Sequence, residues 1–554
     1  MSPLNILIGG EIFRTLREGK YCYVDKTQFI EELLGPNRAQ VSLITRPRRF
    51  GKTLTMSMLQ EFFDIRKDSR ALFAGLNISR NKELCAQWQN NAPTIFITLK
   101  GVEGSTFSHA QEKFVQILRR ACSQSDYLFT SDRVRREDKK TIESLNKDKP
   151  SISCLEDSLF SLCSALQAYW EKPVILLIDE YDVPLNFASQ NGYFPEMMRL
   201  MRTLLGEALK TNTALQFAVL TGCLRIAKES IFTGLNNFMC YSVSDAEYAE
   251  IFGFTEAEVD SLLDAAKLTH KKDEFTDWYD GYHFGDGKDI YCPWDILAHI
   301  VRLQKNPHAA PQAYWNNTSS NTIVRTLVSN AAAEARDKIE ALLSGEAIEE
   351  KLIEDVTFDS IYEDENSIWT MLYLTGYLTK AENQTSFERT ALVIPNKEVR
   401  IIFTDTVSKW FDESVKKMDL IPLVRALWAG DAVAVQKILC DILYDTISYF
   451  DNTESFYHGF LTGLLRGAGL VIKSNRESGL GRSDILVEDG KNKRALIFEL
   501  KRAETYEELR DNVTKALAQI NKKKYTFGLA PQITTVLQYG IAFWKKECCV
   551  QLGQ

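Results

Sequence analysis

The sequence predicts a multidomain α/β protein, on three observations. At residues 41–54, VSLITRPRRFGKTL, a short apolar strand runs into a cationic turn and then a helix opening at Gly51-Lys52-Thr53. At 174–180, five consecutive apolar residues end in Asp179-Glu180. Near the other end, 481–487 and 495–501 read as two strands of a hairpin bearing Asp484, Glu499 and Lys501. The first two features belong to a parallel sheet with helices on its faces, the third to a separate α/β core.

A chain of 554 residues is too long for one hydrophobic core. Its net charge of −8 excludes a protein coated in basic surface but leaves room for a local phosphate-binding patch. The N-terminus lacks a charged segment followed by a long apolar run, and the longest dense apolar run, 174–178, is too short to span a bilayer. The expectation is a cytoplasmic protein with no membrane partner. The eleven cysteines show no C-x-x-C spacing, and adjacent Cys548 and Cys549 are poor partners for one mononuclear site, so reduced thiols without zinc are expected.

Residues 21–27 read as a strand followed by a cap at Thr27, with Asp25-Lys26-Thr27 serving structure or covering a nucleotide base. The turn at 46–53 is built as a phosphate-binding loop. Its backbone N–H groups and helix N-terminus face an anion, Lys52 reaches the outer phosphates, and Thr53 places a hydroxyl for Mg²⁺. The motif G-x-x-x-x-G-K-S/T asks for glycine where Arg46 stands, with Pro47 behind it. Residues 54–63 continue as a helix, 94–99 as a buried strand, and 104–123 as a helix. The charged stretch 124–153 reads as a surface excursion.

A buried strand ending in Asp179-Glu180 supplies the carboxylates such a loop needs. Asp179 would hold Mg²⁺ with Thr53, and Glu180 would orient the attacking water. The strand at 215–221 ends in Thr221, placed to sense the outer phosphate, with Arg225 behind it to neutralise charge or pair structurally. Further on, 254–258 reads as a capping box and the aromatic stretches 277–285 and 291–294 as packed turns. His283 among them is assigned no chemistry. Residues 295–435 carry a mostly helical pattern.

In the C-terminal hairpin, Glu499 and Lys501 are two apart and share one face, and antiparallel pairing brings Asp484 to them. Two carboxylates and a lysine on one sheet face suit metal-assisted phosphodiester hydrolysis. Asp484 and Glu499 would bind Mg²⁺ or Mn²⁺, and Lys501 would steady the nucleophile. Glu454, on a preceding helical segment, would be a further acid. From 491 to 525 basic residues outnumber acidic ones two to one, an electrostatic footprint for DNA or RNA.

These residues resemble a known family. Asp25-Lys26-Thr27, the loop 46–53, Leu177-Ile-Asp-Glu-Tyr-Asp182, the segment 220–230 and the Asp484 … Glu499-Leu-Lys501 pair are similar to bacterial AAA-ATPase-like proteins fused to a PD-(D/E)xK nuclease domain. The resemblance spans both ends of the chain and is weakest over 300–430. It implies a P-loop NTPase fold of AAA+/STAND type followed by a restriction-endonuclease-like core, and it makes the Arg-Pro opening of the loop ordinary. The expected domains are a P-loop domain over 1–245, a helical or winged-helix-like lid over 246–345, a helical connector over 346–430 and a nuclease-like domain over 431–554. The expected ligands are ATP, contacted by Arg49, Gly51, Lys52, Thr53, Asp179, Thr221 and Arg225, and Mg²⁺ at both sites. Nucleic acid is the expected partner, DNA favoured over RNA. A homo-oligomer is allowed but not required. The expected function is ATP-dependent control of a nuclease. The alternative is a nucleotide-operated switch whose C-terminal domain binds nucleic acid or a partner without cutting.

Overall fold

The computed structural model describes residues 4–36, 38–123, 125–147, 150–224, 236–315, 333–353, 365–382, 388–415, 419–446, 454–474, 477–478, 481–482, 484–523, 529 and 532–553. Contacts divide the chain into two units, Met1–Ile323 with Glu349–Ile401, and Val324–Ile348 with Ile402–Gln554.

The first unit is built on a five-stranded sheet, β1 (Val41–Thr45), β2 (Thr94–Thr98), β3 (Val174–Asp179), β4 (Leu215–Gly222) and β5 (Phe238–Tyr241). Its order is β2-β3-β4-β1-β5 and every pairing is parallel. All six residues of β3 are buried, as expected for a parallel strand covered on both faces. The register sets Ile44 beside Thr221 and Ile178 beside Leu220, so Thr45, Thr221 and Asp179 finish at one edge. Ligands of open parallel sheets bind outside that carboxyl edge.

Helix Lys52–Phe63 leaves this edge, and helices Ile152–Trp170 and Phe194–Leu209 bury apolar residues in the sheet's main core. The charged stretch expected on the surface holds helix Arg136–Ser144. Ile142 and Leu145 reach the same core, and Ser164 donates to Asp138 at 2.8 Å. With so few apolar residues in that stretch, the charge run hid the amphipathic face.

Residues 21–26 form no strand, and Thr27 does not cap the helix Gln28–Leu33 with its side chain. Instead the Thr27 hydroxyl donates to Asp25 at 2.6 Å and accepts from the Ile78 amide at 3.1 Å, while Asp25 also accepts from the Asn77 amide at 2.7 Å. Lys26 is buried and donates to the Glu250 carbonyl and the Glu258 carboxylate at 2.6 and 2.7 Å. Glu258 also closes the expected capping box with Thr255. The Asp-Lys-Thr triplet is therefore a clamp between segments, the structural of its two readings. A small antiparallel sheet, β6 (Phe254–Thr255), β7 (Tyr282–Phe284) and β8 (Lys288–Tyr291), replaces the expected turns, and His283 meets Asp289 at 2.7 Å inside it.

The second unit carries the strands β9 (Ile472–Ser474), β10 (Ile485–Asp489), β11 (Arg494–Arg502), β12 (Thr535–Trp544) and β13 (Glu547–Leu552), paired in that order. β10 and β11 form the predicted antiparallel hairpin, whereas β11 and β12 run parallel, with helix Leu509–Lys523 in the crossover between them. Alternation along β11 divides its faces. Leu496, Phe498 and Leu500 join the core that holds helices Ile421–Ala429, Ala432–Thr446 and Glu454–Gly467; Ala495 and Ile497 pack with Ile520 of helix Leu509–Lys523.

Candidate nucleotide and nuclease sites

The loop after β1 buries Arg46, Pro47, Phe50 and Lys52 and leaves Arg48 exposed. Gly51 takes φ = 83° at the helix start, a conformation that carries no steric penalty only for glycine. Arg46 and Phe50 are fully buried beneath the loop. The Arg46 guanidinium donates to the carbonyls of Thr45, Tyr241 and Glu247 at 2.9, 3.0 and 3.2 Å and lies 5.6 Å from the rings of Phe252 and Phe284. Burial pulls its pKa down to about 10, so it keeps its proton at neutral pH. Arg46 is thus a buried strut that ties the loop to the segment after β5. The departure from the glycine motif has a structural cause.

Lys52 is buried and its ammonium is turned onto the loop itself. It donates to the carbonyls of Arg46 and Pro47, both at 2.8 Å, and lies 3.5 Å from Cys223 Sγ. Asp179 is fully buried and joins two strand ends and the loop. Its Oδ2 accepts from the Thr53 hydroxyl at 2.8 Å and its Oδ1 from the Thr221 hydroxyl at 2.5 Å. Glu180 follows at φ = 53°, a strained conformation for a side-chain-bearing residue. Burial, and then the negative charge of Asp179, raise its pKa above the ordinary glutamate value.

The next two residues anchor the end of β4, a task their sequence position did not reveal. Tyr181 donates to the Leu224 carbonyl at 2.8 Å, and Asp182 accepts from the amides of Cys223 and Leu224 at 2.9 and 3.1 Å. A Cβ at Gly222 would stand 2.6 Å from the Tyr181 ring and 2.7 Å from Asp182 Oδ1, so this close approach requires glycine.

The structure therefore brings Gly51, Lys52, Thr53, Asp179, Glu180 and Thr221 to one strand edge. It does not bring Arg49 there. At φ = 71° the Arg49 guanidinium turns away, stacks 4.1 Å from the Trp294 ring and donates to the Tyr314 carbonyl at 3.2 Å. That engagement holds its guanidinium away from the Thr53–Asp179–Thr221 edge, where it was expected among the nucleotide contacts. Arg225 lies outside the described residues. Hard oxygen donors from Thr53 and Asp179, side by side next to a lysine, fit Mg²⁺ carrying phosphate oxygens.

In the second unit the register pairs Ile485 with Phe498, which sets Asp484 alongside Glu499. Asp484 Oδ2 accepts from the Leu500 amide at 2.8 Å, and its carbonyl accepts from His458 Nε2 at 2.8 Å, which fixes the proton on that nitrogen. Glu499 is fully buried, lies 3.7 Å from Lys501 Nζ, and accepts from the side-chain amide of Gln519. Glu454 opens the helix that carries His458 one turn later.

His458 and Gln519 were not singled out in the sequence. The available signal was Gln519 next to the buried stripe Val513, Ala516 and Ile520, a polar residue on a helix face that meets the sheet. Among the described residues no group of three or more His, Cys, Asp or Glu side chains gathers into a metal cage. Two carboxylates suit an ion such as Mg²⁺ that completes its shell with water and substrate phosphate. The expected basic footprint is divided. Arg494 pairs with Asp489 at 3.0 Å and stacks 4.0 Å from the Trp428 ring, on the sheet face opposite Glu499 and Lys501.

The fold and these two constellations define a class: a P-loop-like parallel-sheet domain followed by a nuclease-like α/β domain. Residues 7–232 match the model of the AAA-ATPase-like family, described as predicted AAA-ATPase, and residues 452–552 match that of the PD-(D/E)XK nuclease superfamily. The chain thus carries an AAA-ATPase-like domain at its N-terminus and a PD-(D/E)XK nuclease-superfamily domain at its C-terminus. It is 25% identical over 508 residues to a protein of Azotobacter chroococcum mcd 1 described as an uncharacterized protein in the vnfD 5' region, covering 88% of this chain and 87% of that protein. Among the described residues no helix is long and apolar enough to cross a membrane.

Proposed function

We propose that the chain binds and hydrolyses ATP at the β1–β3–β4 edge and that its nucleotide state regulates a metal-dependent nuclease acting on DNA in preference to RNA. The observation that carries this reading is Asp179, whose two oxygens take the hydroxyls of Thr53 and Thr221 beside Lys52. Mg²⁺ held there would neutralise phosphate charge. Lys52 would leave the carbonyls of Arg46 and Pro47 to meet the outer phosphates, and Glu180, whose pKa burial and the charge of Asp179 raise, would accept the proton of the attacking water.

At the second site Asp484 and Glu499 would hold Mg²⁺ or Mn²⁺, with Gln519 orienting Glu499 and Lys501 stabilising the nucleophile and developing charge. The alternative, a switch without cleavage, is suited by the net charge of −8 and by the missing loop glycine, and the buried strut made by Arg46 gives that second feature a structural explanation.

Paired variants of the full chain test the proposal. Lys52→Ala is expected to lose ATP binding in calorimetry while keeping the melting profile of the nuclease domain. Lys501→Ala is expected to keep ATP binding and lose cleavage of single- and double-stranded DNA with Mg²⁺ or Mn²⁺. If wild-type protein leaves every DNA and RNA substrate uncut with either ion, with and without ATP, cleavage is rejected in favour of the switch.

A further inference from the structure

We infer that Cys440 and Cys548 form a modification site that a peroxide-class oxidant closes to a disulfide. The two cysteines stand 108 positions apart in the chain, and their sulfurs are 3.5 Å apart where helix Ala432–Thr446 covers the edge strand β13. They have different exposures. Cys440 is half-buried, within reach of a small oxidant, whereas Cys548 is 2% exposed.

Their surroundings assign different roles. Cys440 Sγ accepts from the Cys548 backbone amide at 3.4 Å. Hydrogen bonding from the Cys548 thiol, outweighing burial, lowers the Cys440 pKa and raises that of Cys548. Cys122 and Cys163 show the contrasting case, with burial holding each thiol at about 12. Cys440 is thus the nucleophile and Cys548 the resolving thiol. Cys549 cannot substitute for Cys548. Alternation along β13 turns it to the other face, where it packs with Ala503, Leu509 and Val513.

The chemistry balances with hydrogen peroxide as oxidant. The Cys440 thiolate attacks one peroxide oxygen, the O–O bond breaks, and hydroxide leaves with the electron pair, giving a sulfenic acid. The Cys548 sulfur then attacks the Cys440 sulfur, the S–O bond breaks, and water leaves with the Cys548 proton. The product would fasten helix Ala432–Thr446 to the outer strand of the nuclease sheet and restrict the unfolded chain.

The test uses reduced full-length protein, a small excess of hydrogen peroxide quenched with catalase, alkylation of remaining thiols, and peptide mass mapping. A linked Cys440–Cys548 peptide pair is expected before oxidation at the other cysteines. It should be reversed by dithiothreitol and persist in Cys549→Ser. In Cys548→Ser, oxidation should stop at a sulfenic acid on Cys440 that dimedone traps. The oxidised wild type should melt at a higher temperature than the reduced form, with no such rise in Cys440→Ser. Cys440 still alkylatable after other cysteines have oxidised, or linked to Cys549 instead, would overturn the assignment.

Discussion

Both candidate sites set acids on or beside sheet strands, but the two are held in opposite ways. At the N-terminal site every strong partner is internal. Asp179 is bonded to two hydroxyls, and the Lys52 ammonium rests on the loop's own carbonyls. At the C-terminal site the acids are oriented by the Leu500 amide and the Gln519 side chain, while Asp484 is half-buried and Lys501 is 23% exposed. A nucleotide bound there as proposed would displace bonds that the loop makes to itself. A phosphodiester would meet acids already aimed by their neighbours. Nucleotide binding is thus the step expected to carry local rearrangement, which suits the regulatory role proposed for this domain.

The largest effect is expected at Glu180. If it is the base, Glu180→Gln lowers ATP turnover by roughly 10²–10⁴-fold while ATP still binds. The pH profile gives a second readout. Burial and Asp179 raise the Glu180 pKa, and the base acts ionised, so wild-type turnover falls as pH drops through that raised value. The acid limb should vanish in the variant. Unchanged turnover would remove Glu180 from the mechanism.

At the other site the matching probe is Gln519, which touches Glu499 without being an expected metal ligand. Gln519→Ala should weaken Mg²⁺-dependent cleavage by about 10–100-fold, and raising the metal concentration should recover part of the loss. A loss that no metal concentration relieves would show that Gln519 does not act by orienting Glu499.

Arg46 tests the closed character of the first site. Arg46→Gly restores the general loop motif, yet it removes a buried guanidinium that serves three carbonyls. Hydrogen bonds from charged groups contribute about 1.5–3 kcal/mol, so the variant should melt lower despite its better match to the motif. A variant as stable as wild type would show that the strut is dispensable.

Much of the fold was legible because its signals are contiguous. The run 174–178 read as a buried strand, Gly51-Lys52-Thr53 marked a helix start, and alternation in 495–501 fixed the register that brings Asp484 to Glu499. What stayed hidden depends on partners distant in sequence. Arg46 looked like a defect because its acceptors, Tyr241 and Glu247, lie about two hundred positions on. Arg49 looked like a phosphate ligand because it stands in a loop built for an anion, while its backbone takes φ = 71° and its guanidinium stacks on Trp294. Gln519 reaches Glu499 only because a crossover helix returns over the sheet.

A third acid pair shows what two carboxylates do when they are buried against one another. Asp295 and Glu398, each in the first turn of its helix, are fully buried and face one another. Burial raises both pKa values, and the charge of Asp295 raises Glu398 further. Glu398 also accepts from the Trp315 amide at 2.6 Å. Above the ordinary glutamate value of 4.5, the folded protein therefore holds a proton that the unfolded chain has released. With more protons bound in the folded state, stability must fall as pH rises, with a slope approaching about 1.4 kcal/mol per pH unit for one proton. Glu398→Gln keeps an acceptor for Trp315 and removes the titration. Its melting temperature should decline less than that of wild type between about pH 6 and about pH 9. Parallel profiles would mean that the pair does not hold the extra proton. In that case burial alone would not separate these acids from Asp179, whose two oxygens accept from two hydroxyls.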